Sequence, residues 1–368
     1  MKYYVIAGEA SGDLHGANML KSLYQIDTKA EVRAWGGDRM QAEGATLVKH
    51  YRELAFMGFW EVAKNLRTIV KNIRFCKEDI RAYNPDALIL IDYPGFNLRI
   101  AQWAKEHKIP VHYYISPQVW AWKENRVNLM KKVIDHLYVI LPFEKPFFEE
   151  KHQFNVDFVG HPLLDEIKNF DAGTEKAFKE KHHIPLEKPI VALLPGSRTQ
   201  EVKKMLDVMV DVATDFPTYC FVVAAAPHLK DSLFENLPVH VVRNDTYKLL
   251  AHAKAALVTS GTATLETALF EVPQVVCYKT SALSYAIGKR VVTLPHISLV
   301  NLILDEEAVP ERIQSSCNAS QLKSDLSSLL EGSKGEEQRK AYVRLKNKLG
   351  GSGASDAVSN YIMNRTNA

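Results

Sequence analysis

The short run Ala255-Ala256-Leu257-Val258-Thr259 stops at Ser260-Gly261-Thr262 and resumes as Ala263-Thr264-Leu265-Glu266, leading into Thr267-Ala268-Leu269-Phe270. A brief apolar run, a glycine turn and a helix start describe a buried strand feeding a helix. The same unit opens the chain: residues 3–7, a turn at Gly8-Glu9-Ala10-Ser11-Gly12-Asp13-Leu14-His15-Gly16, then a helix over 17–24. It returns at 86–92, where the strand ends in Asp92 before Tyr93-Pro94-Gly95-Phe96-Asn97, and at 189–194 before Pro195-Gly196-Ser197-Arg198. Strands of this kind alternating with helices restrict the chain to an α/β fold with doubly wound, Rossmann-like sheets.

At 368 residues the chain exceeds one typical core, and roughly 100–200 residues per domain predicts two. The pattern breaks into polar, charged sequence at about 165–188, the expected linker and entry helix. The expectation is two facing doubly wound domains with a cleft between them, over 1–168 and 169–345. A last segment, 346–368, is helical beyond the break Gly350-Gly351-Ser352-Gly353 and is placed to cross back to the first domain.

Ligands of open α/β sheets gather at the carboxyl ends of strands, so the turns carry the candidate chemistry. The 260–264 turn has small residues and a helix N-terminus, which together suit a phosphate. Glu266, one turn in, can accept hydrogen bonds from sugar hydroxyls. The alternative is an ordinary capped helix in which Glu266 completes a capping box. The first turn carries Glu9 and Asp13, which repel a pyrophosphate. With His15 it suits hydroxyl recognition, unless it is only a capped turn. Asp92 is an acid at a strand end, or a structural cap. Arg198 beside a helix N-terminus can clamp a diphosphate, or sit in a surface ion pair. Asn301, polar within Ile297-Ser298-Leu299-Val300-Asn301-Leu302-Ile303-Leu304, either bonds backbone in a core turn or reaches a phosphate or base.

The 54–80 stretch packs Leu54, Phe56, Met57, Phe59 and Trp60 around Gly58 and continues as a helix. Leu66, Ile69, Val70, Ile73 and Ile80 recur on one face, with Lys64, Arg67, Lys71, Arg74 and Lys77 on another. Such a helix lies on an anionic membrane surface or packs its apolar face on its own domain. The tryptophans of Gln118-Val119-Trp120-Ala121-Trp122 line a sugar or acyl pocket or belong to a core.

A net charge of +3 and the lack of a recognisable nucleic-acid module argue against nucleic-acid binding. Cys76, Cys220, Cys277 and Cys317 lie far apart with no CxxC pair, which predicts neither a zinc site nor a disulfide framework and favours a reducing, cytoplasmic setting. The N-terminal run reads as a first strand rather than a signal peptide. No apolar stretch approaches the ~20 residues that span a bilayer.

Read together, several segments resemble the lipid-A-disaccharide synthase family. They are Gly8-Glu9-Ala10-Ser11-Gly12-Asp13, Met57-Gly58 with Glu61-Val62, Ile91-Asp92-Tyr93-Pro94-Gly95-Phe96-Asn97, Ser116-Pro117-Gln118-Val119-Trp120-Ala121-Trp122, Leu141-Pro142-Phe143-Glu144, Gly160-His161-Pro162, Leu194-Pro195-Gly196-Ser197-Arg198, Ser260-Gly261-Thr262-Ala263-Thr264-Leu265-Glu266 and the Asn301 segment. The likeness runs in order from the first strand to about residue 304. Departures stand at Ala10, Gly95 and Leu304, and Gly95 leaves Asp92 as the acid of its loop. The resemblance implies a two-Rossmann-domain (GT-B) inverting glycosyltransferase, with no cofactor and no bound metal. It would join UDP-2,3-diacylglucosamine to 2,3-diacylglucosamine 1-phosphate.

The implied donor contacts are Arg198, Ser197, Ser260, Gly261, Thr262, Glu266 and Asn301. The implied base is Asp92, oriented by Asp13 or His15, with acceptor contacts at Glu9, Ser11 and Asn97. Membrane docking would use Phe56, Met57, Phe59, Trp60, Arg67, Lys71 and Arg74, peripheral on the inner face of the cytoplasmic membrane. The competing readings are another UDP-sugar enzyme of this fold (a non-lipid glycosyltransferase or a UDP-sugar 2-epimerase), a non-catalytic nucleotide-binding module and an NAD dehydrogenase. The last is weakest, since neither glycine turn carries the full dinucleotide fingerprint.

Overall fold

A computed structural model describes residues 1–54, 66–281, 285 and 294–367. The chain divides into two compact units, Met1–Asp165 with Leu349–Ala368, and Glu166–Lys348.

The first unit is built on a parallel sheet of β1 (Lys2–Ala7), β2 (Glu31–Gly36), β3 (Thr46–His50), β4 (Ala87–Ile91), β5 (Val111–Tyr114), β6 (His136–Val139) and β7 (Asp157–Phe158), in the order β3-β2-β1-β4-β5-β6-β7. The second carries β8 (Ile190–Leu194), β9 (Cys220–Ala225), β10 (His240–Arg243), β11 (Ala253–Thr259), β12 (Gln274–Tyr278) and β13 (Glu311–Ile313), in the order β10-β9-β8-β11-β12-β13. Helices cover both faces of such sheets, so the central strands read as continuous apolar runs. Every residue of β4 and of β8 is buried.

Strand order reverses between β1 and β4 in the first sheet and between β8 and β11 in the second. A crevice opens at such switch points outside the carboxyl ends. Register brings these ends level: Ala7 pairs with Ile91, and Leu194 with Val258. Gly8 and Glu9 therefore emerge beside Asp92, and the 195–198 turn beside Thr259 and Ser260.

One local expectation is corrected. The 8–16 segment is not a long turn, because the helix already begins at Ala10 and runs to Ile26. Its glycines serve close packing: a Cβ on Gly16 would stand 2.7 Å from the Met40 sulfur, and one on Gly12 would stand 3.1 Å from the Ala7 Cβ. Asp13 and His15 thus point from a helix into the unit rather than from a loop.

The C-terminal helix Ala354–Thr366 packs within the first unit. Ser359 Oγ donates to the Met19 carbonyl at 2.8 Å, and Arg365 forms a two-point ion pair with Asp157. The four cysteines are free and buried.

Candidate functional site

In the second unit, the carboxyl ends of β8, β9 and β11 open into a cavity of about 290 Å³. Gly196, Ser197, Thr246, Thr259, Ser260, Thr262 and Glu266 are among its lining residues. The helix Thr262–Leu269 starts at Gly261, and no side chain caps its first turn. Orphan N–H groups at a helix start attract an anion, and the helix dipole adds to them. Gly261 has φ +154 and ψ −166, a conformation an L side chain resists, and a Cβ there would meet nothing within 4 Å. The residue is therefore needed for its backbone angle.

Ser260 does not cap this helix either. Its hydroxyl donates to the Ile297 carbonyl at 2.9 Å. Glu266 accepts from the Tyr247 hydroxyl at 3.0 Å instead of closing a capping box, and burial pushes its carboxyl above the ordinary value. Arg198 is the N-cap residue of the helix Thr199–Ala213. Its side chain is 74% exposed and its guanidinium pairs with Glu201 at 3.2 Å. An exposed pair of this kind contributes about 0–1 kcal/mol and is readily exchanged for a stronger anion.

Asn301 takes the first of its two expected roles. It is fully buried, donates to Val309 O and Glu311 Oε1, and accepts from Val309 N. Glu311 in turn holds the backbone N–H groups of Ile297 and Ser298. The side chain is consumed in shaping the 297–298 segment behind Ser260, so direct ligand contact by Asn301 is not what this geometry offers.

In the first unit, β4 ends in a turn where Asp92 and Tyr93 have φ +44 and +49. Two successive left-handed residues without glycine cost of order 1–3 kcal/mol each and persist only when neighbours enforce them. Asn97 Nδ2 donates to Asp92 O at 2.7 Å and to Ile91 O at 3.2 Å, and the Tyr113 hydroxyl also donates to Asp92 O. The Asp92 carboxyl is pushed up to about 6, first by burial and then by the nearby charge of Glu9. The Tyr93 ring lies so close over Gly8 that a Cβ there would stand 2.3 Å from it.

Of the two expected helpers of Asp92, Asp13 is engaged elsewhere. Asp13 is buried and accepts from the backbone N–H groups of Gly37, Arg39 and Met40, fixing the start of the helix Asp38–Ala42. His15 is buried with its Nδ1 unpartnered, and burial lowers its pKa to about 4. Its charged form also disfavours that of His161, which is lowered to about 3 mainly by burial. Asn97 is fully buried and supports the Asp92 turn. Glu9 and Ser11 are exposed at the β1 end.

In the sequence Glu144 has no role beyond its place in the Leu141-Pro142-Phe143-Glu144 segment. It is 1% exposed, and its carboxyl is raised to about 7 by burial, with a smaller contribution from Asp92. Thr259, whose buried hydroxyl has no partner and whose residue lines the second-unit cavity, was also missed. The signal for it was simply its place as the last residue of β11.

Of the membrane-docking set, Phe56, Met57, Phe59 and Trp60 lie outside the described residues. Arg67, Lys71 and Arg74 are exposed on the helix Leu66–Tyr83, as are Val70 and Phe75. Cys76 and Ile80 face the core. Among the described residues no helix is long and apolar enough to cross a membrane.

A family model described as lipid-A-disaccharide synthetase matches residues 3–362. A lipid-A-disaccharide synthase of Syntrophus aciditrophicus is 38% identical over 373 residues, covering 96% of this chain and 95% of that one. Among solved structures, Staphylococcus aureus MnaA with UDP superimposes with TM-score 0.70 at 13% identity, covering 100% and 97%. UDP-GlcNAc 2-epimerase of Neisseria meningitidis bound to UDP-GlcNAc gives 0.67 at 14%, covering 99% and 100%. These two share the fold, two Rossmann-like α/β domains of the GT-B class. Matched by that family model over nearly its whole length and 38% identical to that synthase, the chain belongs to the lipid-A-disaccharide synthase family of glycosyltransferases.

Proposed function

We propose that the protein transfers the sugar of UDP-2,3-diacylglucosamine to the primary hydroxyl of 2,3-diacylglucosamine 1-phosphate with inversion. The bond from the anomeric carbon to the UDP oxygen breaks, and UDP leaves with the electron pair. The new bond forms to the acceptor's primary oxygen, whose proton passes to Asp92. The products are UDP and the β-1,6-linked disaccharide 1-phosphate.

The observation that carries this reading is Asp92 itself. It is a partly buried carboxylate on an enforced left-handed turn at a switch point, with a pKa near 6. A base tuned toward the working pH contributes about 10²–10⁴-fold. Glu9 raises the basicity of Asp92 through its charge. Asp13 and Asn97 serve as supports of fold and turn. In the second unit, the uncapped turn at Gly261-Thr262 and the exchangeable Arg198 suit the diphosphate, stabilising the charge that develops on the leaving group. Glu266 and Tyr247 form a partly buried pair suited to ribose hydroxyls. The first unit thereby serves the acceptor and the second the donor. The basic, apolar-flecked outer face of Leu66–Tyr83 suits peripheral contact with anionic lipid, where both acylated substrates reside.

Product analysis tests the reading. Purified protein is mixed with both substrates in detergent and EDTA, beside Asp92→Asn. Disaccharide and UDP from the wild type, and little from a variant that still binds UDP, are the expected result. UDP binding without a new glycosidic bond in the wild type would overturn it.

A further inference from the structure

Glu144 uses its two oxygens on different parts of the first unit. Oε2 accepts from the backbone N–H groups of Ile140 at 3.1 Å and Leu141 at 2.9 Å, closing the turn after β6. Oε1 accepts from the Trp120 indole N–H at 3.1 Å, on the loop after β5. A carboxylate that only closed the 140–141 turn would need one oxygen. The second ties a neighbouring loop to it. Phe143 meets the same indole ring edge-on, with centroids 4.8 Å apart and planes at 83°. Trp120 is thus fixed from two sides, and yet it is only half-buried. A core tryptophan would be covered, and a merely exposed one would not be held by a buried carboxyl.

The place of this ring decides its use. β5 lies between β4 and β6 in the sheet, so the loops bearing Asp92, Trp120 and Glu144 leave adjacent carboxyl ends. Asp92 is near enough for its charge to act on Glu144. A rigid indole offers a flat apolar surface with a polar edge, the surface that receives the C–H face of a pyranose. We propose that Glu144 is a positioning residue that holds Trp120 as the aromatic wall of the acceptor-sugar subsite beside Asp92. This rests on the reading of the first unit as the acceptor side.

The test is steady-state kinetics with 2,3-diacylglucosamine 1-phosphate varied in detergent micelles at saturating donor, on the full chain carrying Trp120→Ala, Trp120→Phe or Glu144→Gln. Glutamine can satisfy the 140–141 amides or the indole, but it lacks the second acceptor oxygen needed for both. Trp120→Ala and Glu144→Gln are expected to raise acceptor KM about tenfold while kcat changes little. Trp120→Phe, which keeps a ring, stays within about threefold of the wild type. UDP affinity is unchanged in all three. Acceptor KM left within about twofold by Trp120→Ala, or a loss confined to kcat, overturns the assignment. The half-exposed Trp120 variants keep the test open should Glu144→Gln destabilise the fold. Wild-type turnover in the same assay reads the parent proposal separately, since absent disaccharide there counts against the function and not against the wall.

Discussion

Six strands of each unit follow the same order, and the two units differ in what their switch-point strand ends carry. At the second unit's switch point, the chain leaves β11 through glycine into an uncapped helix, so donors face the cavity. At the first unit's switch point, the chain leaves β4 through two left-handed non-glycine residues and presents an acid, with Glu9 and buried Glu144 nearby. One end presents the orphan N–H groups of a helix start, and at the other burial raises the carboxyls of Asp92 and Glu144. The fold supplies a crevice in each case, while the residues at the strand end decide whether it presents backbone donors or an acid.

Breaking the first side should have the largest effect. Asp92→Asn is expected to lower kcat by about 10²–10⁴, measured by disaccharide formation, while titration calorimetry shows UDP binding intact. A parallel loss of UDP affinity would erase the division between the units. On the other side, Arg198→Ala should cost about 10² in kcat/KM for the donor and leave acceptor KM in place. An acceptor defect of the same size would count against this placement. Gly261→Ala sharpens the comparison further. Because the cost is backbone strain rather than lost contact, about tenfold weaker UDP binding should accompany a loss of roughly 1–2 kcal/mol in stability. Unchanged binding would show that the turn's conformation is not what receives the anion.

The smallest effect is on stability. Asp92 has a folded pKa of about 6, above its unfolded value near 4, so the folded state binds the proton more tightly. Its protonated form favours folding at low pH, and that contribution is lost as pH rises from about 4 through 6. Asp92→Asn should therefore stabilise the protein by on the order of 1–2 kcal/mol at pH 7–8 and by little below pH 4. Chemical denaturation at the two pH values reads it, and an equal effect at both would deny the raised pKa.

Much of this was legible in the sequence because strand ends are. Apolar runs of β1, β4, β8 and β11 stop where the chemistry begins, and Asp92, Arg198 and the 260–264 turn follow from that alone. Asp13, Asn97 and Asn301 looked equally functional, but each meets backbone groups that only the folded chain brings near. Asp13 closes on Gly37, and Asn301 closes on Val309. Periodicity does not tell a polar side chain turned inward from one turned toward a ligand. Glu144 was obscure for the converse reason, since its meaning comes from Trp120 on another loop. Glycine-rich spacing near residue 12 misled because glycine serves helix packing as readily as turning.

The most direct test of the base assignment is the pH dependence of kcat/KM for the acceptor, whose acid limb reports the group that must be ionised in the enzyme before the acceptor binds, with Asp92→Asn as its control. The expected wild-type limb has an apparent pKa near 6, the value of the partly buried Asp92 carboxyl, with kcat/KM falling about tenfold per unit below it and level above pH 7, and the limb is lost in Asp92→Asn. A kcat/KM that stays level through pH 5, or a limb that Asp92→Asn retains, would contradict the assignment.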